Sequence, residues 1–345
     1  MYRTRVQSKN GGRPTRDDVA KHANISGATV SRVLSGRTDV QISPETRARV
    51  LEAAQQLGYR PNAAARTLMT GRSGLVGFWM SLQYSRYRSH VLDRMRTILG
   101  GTELALAVAD VDVEYEASHS FDRALRVPVD GIIAFDNSAS VEAFARQHDR
   151  LAPNLPFVSM GAYWSEAQSF VGVDLRSGAD AAMNHLFAIG RRRVAYMVPF
   201  DSDLVSYGPR FEAYRHAMSE AGVEPETILV ENEGVGAVKQ ALADRFAKGA
   251  VPEAILCMND DLAMACTFAL PSLGVAAGKD VALIGFDGID EGAYGPCPIT
   301  TVRQPIETMC SLAFDFLRAQ IDDPEAPLQQ RILVPELIIR DSTPS

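Results

Sequence analysis

Two short helical patterns stand back to back between Thr15 and Ser35, and few folds accommodate that arrangement. In the first, Val19, Ala20 and Ala23 share one face. Asn24-Ile25-Ser26 then breaks the period, because Asn and Ser hydrogen-bond to nearby backbone and cap the helix that follows. In the second, Val30, Val33 and Leu34 turn inward at the i, i+3, i+4 spacing of one face, leaving Gly27, Ala28, Thr29, Ser31 and Arg32 outward. Two helices joined by a tight turn make a helix-turn-helix, whose second helix can enter a DNA major groove. A bare helical hairpin shows the same pattern, so the outward chemistry has to decide. Arg32 can fork onto the two acceptors of a guanine edge, and the Thr29 and Ser31 hydroxyls can reach phosphates. Gly27 and Ala28 are small enough for close approach at the helix start, and Ala28 can touch a thymine methyl.

A third amphipathic helix follows. Ser43 is its expected N-cap, Pro44 and Glu45 suit the first turn, Val50, Leu51, Ala54 and Leu57 form the apolar set, and Gly58 stops it. The stretch from Arg60 to Leu68 is too short to hold as an isolated helix. Its three consecutive alanines, Ala63 to Ala65, give good propensity with little bulk, so two copies could approach closely.

Asp18-Val19-Ala20, Thr29-Val30-Ser31-Arg32-Val33-Leu34, Gly58-Tyr59-Arg60-Pro61-Asn62 and Ala65-Arg66-Thr67-Leu68, in that order, resemble the DNA-binding head and hinge of the lactose-repressor (LacI) family. The resemblance implies a homodimer, with a tetramer as the alternative, on a roughly palindromic double-stranded operator. It implies that paired hinge segments carrying Asn62, Ala65 and Leu68 meet the minor groove, with Leu68 wedged at the operator centre. An apolar wedge unstacks a flexible base step and bends the duplex. The loop 36–42 is longer than the family's commonest form, so no contact is carried over to Arg37, Thr38 or Asp39.

Charge supports the division. The chain of 345 residues has net charge −7, which alone argues against nucleic acid. Residues 1–72, however, hold 13 basic and 5 acidic residues, leaving 22 basic and 37 acidic for the rest. A basic head on an acidic body concentrates affinity for DNA in one place. Residues 1–14 read as a disordered basic arm, 15–60 as the DNA-binding domain, 61–72 as hinge helix and linker, and 73–343 as the effector-binding and dimerisation domain. The four cysteines, Cys257, Cys266, Cys297 and Cys310, have no zinc spacing and read as small buried thiols in a reducing cytosol. No apolar run is long enough to span a membrane and no signal peptide opens the chain, so a cytoplasmic location without a membrane partner is expected.

Beyond residue 73 the period changes. Apolar strands at 75–80, 104–108, 131–135 and 157–160 alternate with helices, and a second series runs from Phe170 to Phe286. Such alternation means parallel sheets with helices on both faces. The expected fold is therefore an all-α helix-turn-helix head on a two-lobed α/β body of the periplasmic-binding-protein kind. Lobe one would take about 73–170 and 303–328, and lobe two about 171–302 and 329–343. By resemblance, Thr300 to Ile306 crosses back to the first lobe and Pro335 to Thr343 is the last strand, returning to the second.

Ligands of open parallel sheets sit beyond the carboxyl ends of the strands. That rule selects 81–87, Asn137, 161–164, Asp174, Asn259-Asp260 and Asp287. The family resemblance assigns an effector-binding arginine to Arg210, in Arg210-Phe211-Glu212-Ala213-Tyr214 where Ala213 replaces the usual glycine, and adds Asn259, Asp287 and, more weakly, Asp174. Tyr84 and Trp164 are candidates to stack on the apolar face of a sugar, and Asp260 is read as the N-cap of the helix it opens. No metal and no cofactor are expected: the six histidines are scattered, and no dinucleotide fingerprint, nucleophile elbow or P-loop is present. The expected function is a non-enzymatic transcription regulator, a repressor by resemblance, controlled by a sugar-like effector. The rival is a cytoplasmic solute-binding protein without regulated DNA binding.

Overall fold

The computed structural model describes residues 14–34, 42–59, 67, 71–82, 85–111, 123–136, 141, 144, 155–199 and 208–343. The N-terminal arm, the loop 36–41, the hinge residues Asn62, Ala65 and Leu68, and Tyr84 and Asn137 lie outside them. The chain separates into two compact units, Met1–Ser73 and Gly74–Ser345.

The first unit is three helices, α1 (Arg16–Ala23), α2 (Gly27–Leu34) and α3 (Pro44–Leu57). Their boundaries follow from local chemistry. Thr15 and Asp18 form a reciprocal capping box at the start of α1, and Asn24, at φ 50, closes it in the left-handed region. Ser26 Oγ accepts the Thr29 amide hydrogen at 3.2 Å, and Ser43 Oγ that of Thr46 at 3.2 Å. Gly58 ends α3 at φ 65. Val19, Ala23, Val30, Val33, Val50, Ala53 and Ala54 form the small core. Leu51, expected in the apolar set, is instead 50% exposed. The buried face of α3 runs Val50, Ala53, Ala54 and Leu57, and Leu51 lies about a quarter turn off it. Arg49 Nη2 donates to the Ala23 carbonyl at 2.6 Å, tying α3 to the end of α1.

The second unit holds two six-stranded sheets. The first has the order β11-β5-β4-β3-β1-β2, with β1 (Leu75–Met80), β2 (Ala105–Asp110), β3 (Gly131–Phe135), β4 (Phe157–Gly161), β5 (Ser169–Val173) and β11 (Gln330–Leu333). The second has the order β12-β10-β9-β8-β6-β7, with β6 (Val194–Pro199), β7 (Glu226–Val230), β8 (Ala254–Cys257), β9 (Ala282–Asp287), β10 (Thr300–Arg303) and β12 (Glu336–Ile338). Every pairing is parallel except β10 with β12. Strands β3, β4, β5, β8 and β9 are buried along their whole length, which is why they read as unbroken apolar runs.

Helices α4 (Arg86–Gly100) and α9 (Ile306–Asp322) cover one face of the first sheet through Tyr87, Val91, Met95, Met309, Phe314 and Leu317. On the second sheet, α5 (Leu175–Ala188) and α6 (Pro209–Glu220) pack on one face, and α7 (Val235–Phe246) and α8 (Asp260–Ala269) on the other.

The lobe boundaries need correction in two strands. β12 joins the second sheet as expected of the chain after 328, but β5, expected to begin the second lobe, pairs with β4 and β11 in the first sheet. The sequence shows two apolar runs in succession but not which sheet a strand joins; hydrogen bonding of Gln330–Leu333 alongside Phe170–Val173 settles it. The chain thus passes between lobes after Val173, after Arg303 and after Leu333.

Candidate functional site

Two sites are built on these units, one on each. In the head, Ala28 and Arg32 lie one turn apart on α2 and are both exposed, with Gly27, Thr29 and Ser31 half-buried beside them. The apolar stripe Val30 and Val33 fixes which way that face turns. The Thr29 hydroxyl is engaged at the helix start, 2.9 Å from Ser26 Oγ. The face is thus capped and small at one end, with a guanidinium one turn on.

In the body, the carboxyl ends of strands from both sheets converge. Arg210, near the start of α6, donates from Nη1 to the Met258 carbonyl at 2.8 Å, and its guanidinium carbon lies 5.4 Å from the centre of the Phe286 ring. Burial lowers its pKa, but Tyr196, Asp287, Asp136 and Tyr163 outweigh that and hold it above the ordinary value. Asp287 ends β9 at φ 108, a left-handed conformation that costs a non-glycine residue about 1–3 kcal/mol and tends to mark functional sites. Burial, then repulsion from Asp260, pushes the Asp287 carboxyl well up, against the pull of Arg210 and Gln304.

A hydrogen-bonded chain ties this carboxylate to the first lobe. Gln304 Nε2 donates to Asp287 Oδ1 at 2.9 Å, and Tyr87 Oη donates to Gln304 Oε1 at 2.9 Å; all three residues are buried. At the cleft's other side Arg86 pairs with Asp261, joining the starts of α4 and α8.

The remaining candidates take distinct places. Asn259 caps α8, its Oδ1 accepting the Leu262 amide hydrogen at 2.9 Å, while its Nδ2 donates to Glu233 at 2.6 Å. Asp260, expected as that cap, does something else. It is fully buried and its Oδ2 accepts the amide hydrogens of Gly288 at 2.8 Å and Ile289 at 3.0 Å. Its neighbour holds the extended backbone of a cap (φ −151), whereas Asp260 is already helical. Asp174 caps α5 through the Ser177 amide at 3.0 Å. Trp164 stacks on Phe170 at 5.4 Å between centroids and lies over Gly172, so its ring is committed to β5.

Sequence reasoning missed Asp136, Glu233, Tyr196 and Gln304. Asp136 and Glu233 follow strand ends, so the strand-end rule could have found them; Gln304, in a crossover, gives no such signal. Asp136 is half-buried at φ 44, with Oδ1 accepting the Ala162 amide hydrogen at 2.6 Å. Burial raises its pKa and that bond opposes the rise. Burial likewise raises Glu233, against its hydrogen bond from Asn259. The cleft can therefore donate from the half-buried guanidinium of Arg210 and accept at several carboxylates.

Residues 15–62 match the profile of the lacI family of bacterial regulatory proteins, and residues 183–343 that of a periplasmic binding protein-like domain. The chain is 30% identical over 342 residues to the HTH-type transcriptional regulator MalR of Streptomyces coelicolor, covering 95% of this chain and 96% of that one. It is 28% identical over 331 residues to the HTH-type transcriptional repressor PurR of Vibrio vulnificus, covering 94% and 97%. Among solved structures, a lac repressor dimer bound to operator and the anti-inducer ONPF superposes with a TM-score of 0.80 at 22% identity, over 97% of this chain and 100% of that one. A complex of the transcriptional regulator CelR with cellobiose does so with 0.64 at 24% identity, over 96% and 100%. Among the described residues, no helix is long and apolar enough to cross a membrane.

Proposed function

This chain belongs to the LacI family of bacterial regulatory proteins, DNA-binding transcription regulators, and from that premise we propose that it is a cytoplasmic homodimeric repressor released or engaged by a sugar. The observation that carries the reading is the pairing of two features in one chain. A capped three-helix head presents Ala28 and Arg32 outward, and a two-lobed body gathers Arg210, Asn259 and Asp287 at its strand ends.

The coupling would run through the body. A sugar that binds one relative arrangement of the lobes better than another shifts the population toward it by its differential affinity and no more. In the dimer that shift changes the spacing of the two hinge segments, which are too short to be helical alone and form only where they meet each other and the minor groove. Asn62, Ala65 and Leu68 act there, with Leu68 as the wedge. The cleft binds and releases its ligand without turnover.

Selection of bound duplexes from a random DNA library at one fixed salt concentration tests the reading. A palindrome with a central pyrimidine-purine step is expected, and Leu68→Ala should bind it more weakly and leave it straighter. Enrichment of no sequence, with or without pooled sugars, would sink the proposal.

A further inference from the structure

Arg210 comes from the second lobe, and the carboxylates that act on it come one from each lobe, Asp287 and Asp136. Each has one oxygen held, Asp287 Oδ1 by Gln304 and Asp136 Oδ1 by the Ala162 amide. The placement of Asp136 is costly. Its backbone is left-handed at φ 44, and its carboxylate fits only because position 161 is glycine at φ +101; a Cβ there would stand 2.1 Å from Asp136 Oδ1. Holding the Ala162 amide needs one neutral acceptor, not an acid that must be partly desolvated. A strained acid kept beside an arginine, at the end of a fully buried strand, is placed for a ligand.

The geometry points to Asp136 as the first-lobe half of the effector site, where it accepts hydroxyl hydrogens from an uncharged, hydroxyl-rich ligand whose own oxygens accept from Arg210. The assignment rests on reading the cleft as a sugar site and narrows it. A neutral saccharide offers donors to both carboxylates and acceptors to the guanidinium, so every polar group is satisfied. A phosphorylated or carboxylated sugar meets three acids, Asp136, Asp287 and Glu233, against Arg210 and Arg88, with Arg86 paired to Asp261. Asp136 thus selects by charge as well as by hydrogen bonding.

The test uses the full chain and defined probes: glucose, ribose, lactose and cellobiose beside glucose 6-phosphate and ribose 5-phosphate, first by thermal shift and then by calorimetry. At least one neutral saccharide should stabilise the wild type and neither phosphosugar should. Asp136→Asn should weaken that saccharide about ten- to a hundredfold, as expected for losing a charged hydrogen-bond acceptor, and should narrow the gap between neutral and phosphorylated probes. Binding by phosphosugars alone, by none of the probes, or equally well by wild type and variant overturns the assignment. If Asp136→Asn does not fold, a wild-type crystal with the best saccharide decides: a hydroxyl within about 3.2 Å of the Asp136 carboxylate supports it, and a ligand out of reach overturns it. Operator selection by the same preparation is independent of the outcome, so a protein that still reads DNA loses only this assignment.

Discussion

Replacing Asp260 with Asn should stabilise the body at neutral pH and leave it unchanged in acid. Asp260 is fully buried, holds the turn Gly288–Ile289 with one oxygen, and leaves the other, Oδ1, without a partner among the described residues. Burial pushes its pKa from 3.8 up to about 7, against the pull of the Thr301 hydroxyl and of the Ile289 and Gly288 amides. Below about pH 3 the group is protonated folded and unfolded and contributes nothing. As pH rises from there toward 7 the unfolded chain ionises first, so stability falls; above 7 the loss is constant. Roughly three pKa units at about 1.36 kcal/mol each set an upper bound of about 4 kcal/mol. Asn keeps the shape and an oxygen for the two amides without a charge to bury. Unfolding followed by the fluorescence of Trp79 and Trp164 reads the body alone, because the chain has no other tryptophan. The difference, variant minus wild type, should grow from about 1 kcal/mol at pH 4.5 to as much as about 4 kcal/mol at pH 8, roughly 8–16 °C in Tm at about 2–4 °C per kcal/mol. Asp260→Asn also relieves the repulsion of Asp260 on Asp287, and that change acts in the same direction. A difference that ignores pH, or a variant less stable at pH 8, would refute the reasoning.

Four further outcomes are expected. Arg32→Ala should cost about 1–3 kcal/mol on the selected operator and relax base preference at one position per half-site; equal weakening on all sequences would make Arg32 a phosphate contact instead. Thr15→Ala removes half of the α1 capping box and should lower head stability by about 1 kcal/mol in a head-only thermal melt, leaving body unfolding unchanged. Gly285→Ala places a Cβ 2.1 Å from Asp260 Oδ1 and 3.1 Å from Asp260 Cα, so it should destabilise the body by about 1–3 kcal/mol in urea melts. Arg210→Ala or Asp287→Ala should abolish the sugar response in calorimetry and in operator release while operator binding without sugar persists; unchanged sugar affinity in both would mean that the cleft lies elsewhere.

The head was legible because its signals are local. Thr15, Asn24, Ser26, Ser43 and Gly58 act on backbone within four residues, and the Val30–Val33 stripe fixes the outward face without reference to anything distant. Apolar runs such as 131–135 and 254–257 likewise announced buried parallel strands. What the sequence concealed was long-range. Phe170–Val173 looks alike whether it pairs in one sheet or the other, and its partner strand Gln330–Leu333 is mostly exposed, with no apolar pattern to betray it. Asp260 and Asn259 are neighbours of the same cap-forming chemistry, and only backbone dihedrals separate cap from turn anchor. The strain at Asp136 depends on Gly161 twenty-five positions away, a pairing that neither residue signals alone.

The late return of the chain to its first lobe also sets a timetable for synthesis. The head core of α1, α2 and α3 draws only on residues 19–54, so it needs nothing made later. The first sheet differs: β5 is made by residue 173, but its outer neighbour β11 and the covering helix α9 arrive only between residues 306 and 333. At about 5–20 residues per second, the face of Val158, Met160 and Val171 waits roughly 10–30 s for Met309, Ala313 and Leu317. Throughout that interval a head able to dock on DNA precedes an unfinished body with an open sheet edge, the state in which a nascent chain most needs a chaperone and from which a stalled fragment would emerge as a DNA-binder deaf to sugar.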